Sequence, residues 1–248
     1  ALDGVDIVSY LEHNLPVENT LDGQLAYNST RKELVYFKNA SWHFVKDNDR
    51  IILVSGFSFL IDTTLTTIPA TSDYIGETTD TQFTMPFVDD GVYNCTIDWD
   101  CNNPGTDAEN VTTPGRITHT YSEPGQYLIA ITGVITGFRF DYYETTSPNS
   151  EALDSAKKML ELRKFGSLVF TGGLSDTTNA GDSFMKCRNM IITAPDAPDT
   201  SGSLDFIWMF YQNNNITQVP LLNVSSASRF WAMFRECSSL QTLPDGFN

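Results

Sequence analysis

Six acidic side chains in the middle of the chain have a spacing that could gather oxygen ligands around a hard cation. Calcium takes six to eight oxygen ligands, and carboxylates are among those it prefers. The sequence therefore predicts a candidate Ca²⁺ site here. A solvated acidic loop without metal accounts for the same residues and is the commoner arrangement. The acids are Asp89, Asp90, Asp98, Asp100, Asp107 and Glu109.

The three histidines, His13, His43 and His119, lie in unrelated segments of the sequence. General acid–base catalysis needs a partner group within hydrogen-bond reach, and no neighbouring pattern supplies one. The sequence contains no G-x-S-x-G, H-E-x-x-H, Walker or paired Cys-x-x-Cys motif. We therefore expect a non-enzymatic protein without a resident cofactor. His119 is expected to pack or to form a hydrogen bond.

The net charge and its distribution along the chain restrict the kinds of partner that the protein can bind. The net charge is −16, and residues 62–149 hold 13 acids but only two basic residues, Arg116 and Arg139. Such a surface repels nucleic acids and anionic membranes. The longest apolar run, residues 51–54, is far too short to span a bilayer. We expect neither nucleic-acid binding nor membrane insertion.

The first 50 residues contain signals for a short helix, which could be the end of a longer stalk, and for a β-hairpin. Residues 5–11 suggest a short helix, and residues 22–42 suggest two alternating strands around an Asn-Ser-Thr turn, then a second turn before Trp42. Six Asn-x-Ser/Thr sequons also occur, and they would matter only in a secretory eukaryote. They begin at Asn28, Asn39, Asn94, Asn110, Asn215 and Asn223.

Residues 51–146 are predicted to form a β-sandwich, because short strand and turn signals follow one another closely. Trp99 and Tyr121 have the size to fill its core. An acidic loop is expected between Cys101 and Asn110, and Cys95 and Cys101 could pair only if the backbone turns between them. The predicted strands cover residues 51–60, 82–88, 93–99, 115–121 and 127–133.

Residues 147–248 begin with a predicted amphipathic helix from Glu151 to about Lys164, N-capped by Ser150. Its acids come early and its bases late, as the helix dipole prefers. A repeat array needs such a cap over its first apolar face. The apolar stripe would contain Leu153, Ala156, Met159 or Leu160, and the aliphatic part of Arg163.

After this segment one pattern occurs three times. Each copy has a Phe, then Cys or Asn three residues later, then Met, Ile or Leu, and then Pro. The anchors Phe184, Phe210 and Phe234 are 26 and 24 residues apart. A fixed period of this length with one large apolar anchor predicts a solenoid. The pattern continues to the last residues, so we expect a further repeat beyond residue 248.

Equivalent positions in the copies hold Cys187, Asn213 and Cys237. Adjacent coils lie about 4.8 Å apart, so the two cysteines would be too distant for a disulfide. We expect an internal ladder of small buried side chains. Trp208, Phe230 and Trp231 flank the anchors and are the candidate receptor contacts, although most aromatics in the copies should be core.

Three family resemblances follow from these motifs. The run from Asn223 to Leu240, with Met233-Phe234 and Cys237-Ser238-Ser239-Leu240, closely resembles BspA-type leucine-rich repeats. The segments 93–100 and 117–131, the second with His119-Thr120-Tyr121, resemble PKD-type immunoglobulin-like domains, although residues 101–104 replace the usual Gly-Asp-Gly turn. Residues 23–42 resemble β-hairpin modules of bacteriophage tail fibres.

The resemblances imply a mainly β, multidomain protein. It would have a hairpin module (1–50), an immunoglobulin-like sandwich (51–146) and a helix-capped leucine-rich-repeat solenoid (147–248). They imply a non-enzymatic virion fibre or adhesion protein that binds a host-cell receptor, contacts other tail or fibre proteins and forms a trimer. The alternatives are a bacterial cell-surface adhesin, or the recognition arm of a larger polysaccharide-degrading enzyme.

Overall fold

A computed structural model describes residues 8–10, 25–28, 33–38, 41–44, 56–65, 74–75, 78–101, 107–140, 152–172, 178 and 180–243. The chain forms two compact units, residues 1–53 and 54–248. Within the described residues the helical structure is one short 3₁₀ helix, so the mainly β prediction is confirmed. The predicted boundary between residues 146 and 147 lies outside the described residues and stays a prediction.

The first unit contains a four-stranded sheet in the order β1-β2-β3-β4. β2 and β3 pair antiparallel, with Asn28 opposite Glu33, and β3 then pairs antiparallel with β4, which contains Trp42. The predicted strands and their antiparallel pairing are therefore confirmed, and the two predicted turns lie outside the described residues. The strands are β1 (Val8–Tyr10), β2 (Leu25–Asn28), β3 (Glu33–Lys38) and β4 (Ser41–Phe44).

The helix predicted over residues 5–11 is wrong where the structure describes it. Residues 8–10 form β1, which pairs parallel with β2, Val8 lying opposite Ala26. An isolated helix of seven residues is marginal because nucleation is costly. Pairing with β2 satisfies the backbone groups instead.

The second unit begins with most of the strands predicted for residues 51–146. Their packing as an immunoglobulin-like sandwich stays a prediction, and below we use the word sandwich only as the name of the described residues between 56 and 140. β7 and β10 form one two-stranded sheet, while β9, β8, β11 and β5 are neighbours in a larger one. The predicted strands at 82–88, 93–99, 115–121 and 127–133 are confirmed with shifted ends. The strands are β5 (Phe57–Asp62), β6 (Tyr74–Ile75), β7 (Gln82–Met85), β8 (Tyr93–Asp98), β9 (Ala108–Val111), β10 (Ile117–Thr120) and β11 (Gln126–Thr136).

β9 corrects the prediction of an uninterrupted acidic loop up to Asn110. It pairs antiparallel with β8, Cys95 lying opposite Val111. Val111 is buried, whereas the three residues before it are exposed. This strand therefore has a single buried apolar residue. A strand with so little alternation of apolar and polar residues cannot be recognised from its sequence.

The core of the sandwich is aromatic. Trp99 and Tyr121 are buried, as predicted, and Tyr121 donates a hydrogen bond from its hydroxyl to the Trp99 carbonyl at 3.0 Å. Phe57 and Phe138 meet edge to face with centroids 4.9 Å apart. Phe138 also lies 5.6 Å from Phe184 of the first repeat copy, so one core continues from the sandwich into the repeats.

The helix predicted from residue 151 to 164 is not formed. The described residues there are β12 (Ala152–Leu153), a 3₁₀ helix (Asp154–Lys158) and β13 (Met159–Lys164), followed by β14 (Leu168–Val169) and β15 (Ile191–Ile192). β13 pairs antiparallel with β5 and parallel with β15. The cap predicted for the repeats is therefore a strand of the sandwich sheet.

In this segment the pairing of β13 with β5 and β15 outweighs the local helix propensity. Leu153, Ala156 and Met159 are buried, as the helical stripe predicted, but they lie in two strands and a 3₁₀ helix and not in an α-helix. Lys158 is also buried, and its ammonium donates hydrogen bonds to the carbonyls of Thr79 (2.7 Å) and Gln82 (2.6 Å). These bonds fasten the 3₁₀ helix beside β7 and offset the cost of burying the charge.

A close backbone approach joins the sandwich to the segment that leads into the repeats. Gly166 has φ +52, and a Cβ on it would lie 2.1 Å from the carbonyl carbon of Gly56. Only glycine fits such an approach. Asp196 fixes the same turn, because its carboxylate accepts the amides of Phe165 at 3.0 Å and Gly166 at 2.8 Å.

Candidate functional site

The three repeat copies share an unusual backbone. Each has two non-glycine residues in the left-handed region, four positions apart, with φ between 55° and 63°. The offsets between copies are 26 and 24 residues, the same as between the Phe anchors. The left-handed residues are Asp182 and Lys186, Trp208 and Gln212, and Ala232 and Glu236.

Hydrogen bonds between successive copies keep this backbone in register. The Phe184 amide donates to the Met209 carbonyl at 2.9 Å, and the Phe210 amide donates to the Met233 carbonyl at 3.0 Å. The rings of Phe184 and Phe210 stack with centroids 5.6 Å apart, and those of Phe210 and Phe234 with centroids 5.9 Å apart, both at 8°. Each copy therefore adds one rung to a stack.

The Cys and Asn positions also line up, and they carry hydrogen bonds that the sequence did not reveal. Asn213 donates from Nδ2 to the Phe184 carbonyl at 2.7 Å, and Cys237 donates from Sγ to the Phe210 carbonyl at 2.9 Å. Cys187 and Asn213 are fully buried, which confirms the predicted ladder for them, while Cys237 is partly exposed. All four cysteines, Cys95 and Cys101 included, are free thiols.

The candidate contact residues lie on the second and third copies, the third being the last that the structure describes. The indole rings of Trp208 and Trp231 lie 5.3 Å apart at 43°, and Phe230 stacks on Phe206 with centroids 5.5 Å apart. Trp231 is 62% exposed and Phe230 is 41% exposed, while Trp208 is half-buried. We call Trp208, Phe230 and Trp231 the aromatic surface.

Sequence reasoning missed two members of this region. Tyr211 lies 5.9 Å from Trp208, and the guanidinium of Arg235 lies over the Tyr211 ring at 5.8 Å. Tyr211 directly follows the anchor Phe210, so alternation would have placed it on the outside, whereas the structure buries it. Arg235 directly follows Phe234 in the same way, at the equivalent position of the next copy.

A polar ladder runs across the three copies. Arg188 donates to Gln212 at 2.6 Å, and Gln212 in turn donates to Glu236 at 2.7 Å. Other charges near the aromatic surface are matched locally, because Arg229 lies 3.2 Å from Asp205 and Arg235 lies 3.5 Å from Glu236. The aromatic surface is thus bordered by paired charges of both signs.

The segments that link the copies form the same type of turn, in which an Asp or Asn side chain accepts two hydrogen bonds from the serine two residues later. Asp199 accepts hydrogen bonds from the amide and hydroxyl of Ser201, and Asn223 accepts the equivalent pair from Ser225. These bonds lower the pKa of Asp199. The Asn223 sequon is therefore a structural turn of the repeat, as the pattern indicated.

The acidic region of the sandwich has a different arrangement. Burial, together with the nearby Asp100 and Asp107 carboxylates, raises the pKa of Asp98. His119 stacks on Trp99 with centroids 4.6 Å apart, and its Nε2 lies 2.9 Å from Asp107 Oδ2 without the alignment of a hydrogen bond. His119 packs, as expected.

The candidate Ca²⁺ site stays a prediction. Among the residues that the structure describes, no group of three or more His, Cys, Asp or Glu side chains could hold a metal ion. Asp107 lies beside His119, and Glu109 accepts a hydrogen bond from Trp99 Nε1 at 3.2 Å. Residues 102–106 of the acidic loop lie outside the described residues.

Comparisons with protein-family models, with curated proteins and with solved structures found no match to this chain. Among the described residues, no helix is long and apolar enough to cross a membrane. Inferences about function therefore depend on the residues themselves, above all on the aromatic surface.

Proposed function

We propose that this chain is a non-enzymatic virion fibre or adhesion protein whose repeats bind a receptor on a host-cell surface. In this proposal residues 147–248 form a leucine-rich-repeat solenoid of the BspA type, and residues 51–146 form a PKD-like spacer. The first unit is the attachment module that contacts other tail or fibre proteins. The observation that carries the proposal is the pair of exposed aromatic side chains on the third repeat copy.

The supporting argument is that large exposed apolar side chains are costly to leave in water, and that grouped ones mark interaction sites. Phe230 and Trp231 are adjacent in sequence and both are exposed, and the anchor of the same copy, Phe234, is partly exposed. Tryptophan and tyrosine dominate binding hot spots because they offer a large contact area at low entropic cost. A regular stack holds such side chains on a rigid surface.

Binding to whole cells tests the proposal. The fluorescently labelled full chain is titrated onto a panel of bacterial strains and bound label is measured by flow cytometry. We expect saturable binding to at least one strain, and loss of it in the double variant Phe230→Ala/Trp231→Ala. The matched control is Val92→Ala/Val134→Ala, because those side chains are exposed to a similar degree on the sandwich.

Two outcomes count against the proposal. One is the absence of saturable binding to every strain, and the other is equal binding by the double variant and the wild type. Circular dichroism and thermal melting check that both variants fold. The mass of the native particle tests the fibre assignment, since a trimer has three times the chain mass of 27.7 kDa.

A further inference from the structure

The 3₁₀ helix Asp154–Lys158 is buried although it consists almost entirely of polar residues. All five of its residues are buried, and Ala156 is its single apolar member. Burying polar and charged groups costs free energy unless each finds a partner. The helix therefore stays in place only while its side chains keep their hydrogen bonds. We call residues 154–158 the buried polar segment.

The buried polar segment bonds to β7 and to the residues just before that strand. Oδ2 of Asp154 accepts a hydrogen bond from the Thr78 hydroxyl at 2.6 Å, and Oγ of Ser155 accepts one from the Thr84 amide at 2.8 Å. Lys157 forms an ion pair with Asp154 within the segment itself. The carboxylate of Asp154 is thus engaged by its own neighbour and by the sandwich.

The amino group of Lys158 lies between two carbonyl oxygens, those of Thr79 at 2.7 Å and Gln82 at 2.6 Å. The side chain is fully buried, and it forms no ion pair with a carboxylate of the described residues. An ammonium has three N–H donors. The neutral amine has two, which is the number of acceptors that the site provides. The geometry therefore fits the neutral amine and leaves one donor of the ammonium unpaired.

The electrostatic surroundings agree with this geometry. Burial is the largest effect, and it lowers the pKa of Lys158 from 10.5 to about 8. Of the neighbouring charges, Asp154 raises this pKa, Lys157 lowers it and Asp80, in the residues before β7, raises it. β7 itself, Gln82–Met85, has no titratable side chain. A lysine returned to water regains its ordinary pKa, so protonation favours release of the segment.

We infer that the buried polar segment is a proton-sensitive latch between the sandwich and the repeats, which stays docked on β7 while Lys158 is neutral and opens more easily once Lys158 is protonated. The segment leads directly into β13, which pairs with β5 of the sandwich and with β15 of the first repeat copy. Opening frees the start of that strand and loosens the connection between the two regions. This inference goes beyond the proposed function and does not depend on it.

The expected pH dependence follows from the two protonation states. Between pH 8 and pH 10.5 the docked segment holds fewer protons than the open one, so the equilibrium constant for opening should fall about tenfold for each unit of pH. Just below pH 8 both states are protonated at Lys158, and the constant should be level. The latch is therefore weakest at neutral pH and strengthens as the solution becomes alkaline.

NMR titration of the lysine side-chain nitrogens in the wild-type chain measures the protonation directly. We expect Nζ of Lys158 to titrate near pH 8 in the folded chain and near pH 10.5 in urea. A value near 10.5 in the folded chain overturns the inference, and that result depends on no variant.

Digestion of the full chain with endoproteinase Lys-C measures opening, because the bond after Lys157 is accessible only when the buried polar segment leaves its site. Mass spectrometry follows that one cut, and a peptide of residues 152–164 corrects for the protease's own pH dependence. We expect the corrected rate to fall about tenfold per pH unit from pH 8 upwards, as far as the protease stays active. A corrected rate that does not change with pH overturns the inference.

Lys158→Met is the matched variant, because it keeps the length of the side chain and removes the titrating group. With its own peptide as reference, the cut after Lys157 should lose its pH dependence, whereas Lys164→Met should retain that of wild type. Circular dichroism checks that both variants fold. Equal slopes for Lys158→Met and wild type overturn the inference, and if Lys158→Met does not fold the Nζ titration decides.

Discussion

The second and third repeat copies have the same pattern but different surroundings. Phe210 lies between two stacked rings and is fully buried, whereas Phe234 stacks on one ring and is partly exposed. Asn213 and Cys237 differ in the same way. The comparison teaches that burial in a stack is set by the neighbouring copies and not by the residue type, because each copy covers only the one beside it.

The largest expected effect is on the anchors. Phe210→Ala should lower the free energy of unfolding by about 3–5 kcal/mol, the usual cost of deleting a fully buried aromatic side chain. Phe234→Ala should cost less than half as much, since its cavity opens to solvent. Urea unfolding of both variants measures the difference. Equal losses would mean that the third copy is covered as fully as the second.

The next effect concerns the ladder of hydrogen bonds. Asn213→Ala should cost about 1–2 kcal/mol, because it removes the bond to the Phe184 carbonyl and leaves that carbonyl with only the longer 3.4 Å bond from Cys187. Asn213→Cys restores a donor of the type that Cys237 uses, and should recover most of the loss. Thermal melting of the two variants decides whether the donor or the volume matters.

Alkaline pH should reveal the burial of the two ladder cysteines. Burial raises the pKa of the Cys237 thiol from 9.0 to about 11, so between these values the unfolded state has lost a proton that the native state keeps. Stability from this group is complete below pH 9 and is lost as pH rises towards 11. Between pH 9 and pH 11 the free energy of unfolding of Cys237→Ala should therefore fall by about 1–2 kcal/mol less than that of wild type.

Burial also raises the pKa of Cys187, well above 9.0. Cys187→Ala should therefore also lose less stability than wild type as the pH rises above 9. Urea titrations at half-unit pH intervals measure both slopes. A slope identical to that of wild type in either variant would contradict the assignment for that cysteine.

The smallest effect tests the left-handed positions. Ala232 has φ 55°, so Ala232→Gly should stabilise the chain by about 0.5–1 kcal/mol through relief of backbone strain. Ala227→Gly is the control, because Ala227 is absent from the left-handed set and the change should destabilise by a similar amount. Differential scanning calorimetry resolves shifts of this size. Opposite signs for the two variants support the repeated backbone.

Much of the second unit could be predicted from local signals. The strand ranges around Tyr93 and Tyr127 follow from alternation, and the buried Trp99 and Tyr121 follow from their size. The helix over residues 151–164 was wrong because its stripe also fits a buried strand once β5 is available as a partner. β9 was missed because three of its four residues face solvent.

The candidate site likewise has some residues that the sequence indicated and some contacts that only the structure shows. Trp208, Phe230 and Trp231 were predicted as contacts because they flank a repeated anchor; the structure brings the two indole rings together and packs Phe230 on Phe206, and their role in binding stays a prediction. The contacts of Tyr211 and Arg235 depend on how one copy lies over the next. How one copy lies over the next is a property of the whole stack, so the sequence pattern of a single copy does not determine these contacts.

By itself, the sequence determined the period of the repeats, the inward Phe anchors and the free, buried state of Cys187, because each follows from residue type and spacing. Only the tertiary structure decided that a strand of the sandwich covers the first copy and that Asn213 and Cys237 bond to the preceding anchor's carbonyl. Only it left the Trp208 N–H without an acceptor. Burial and hydrogen bonding belong to pairs of segments far apart in the chain, so no single segment can specify them.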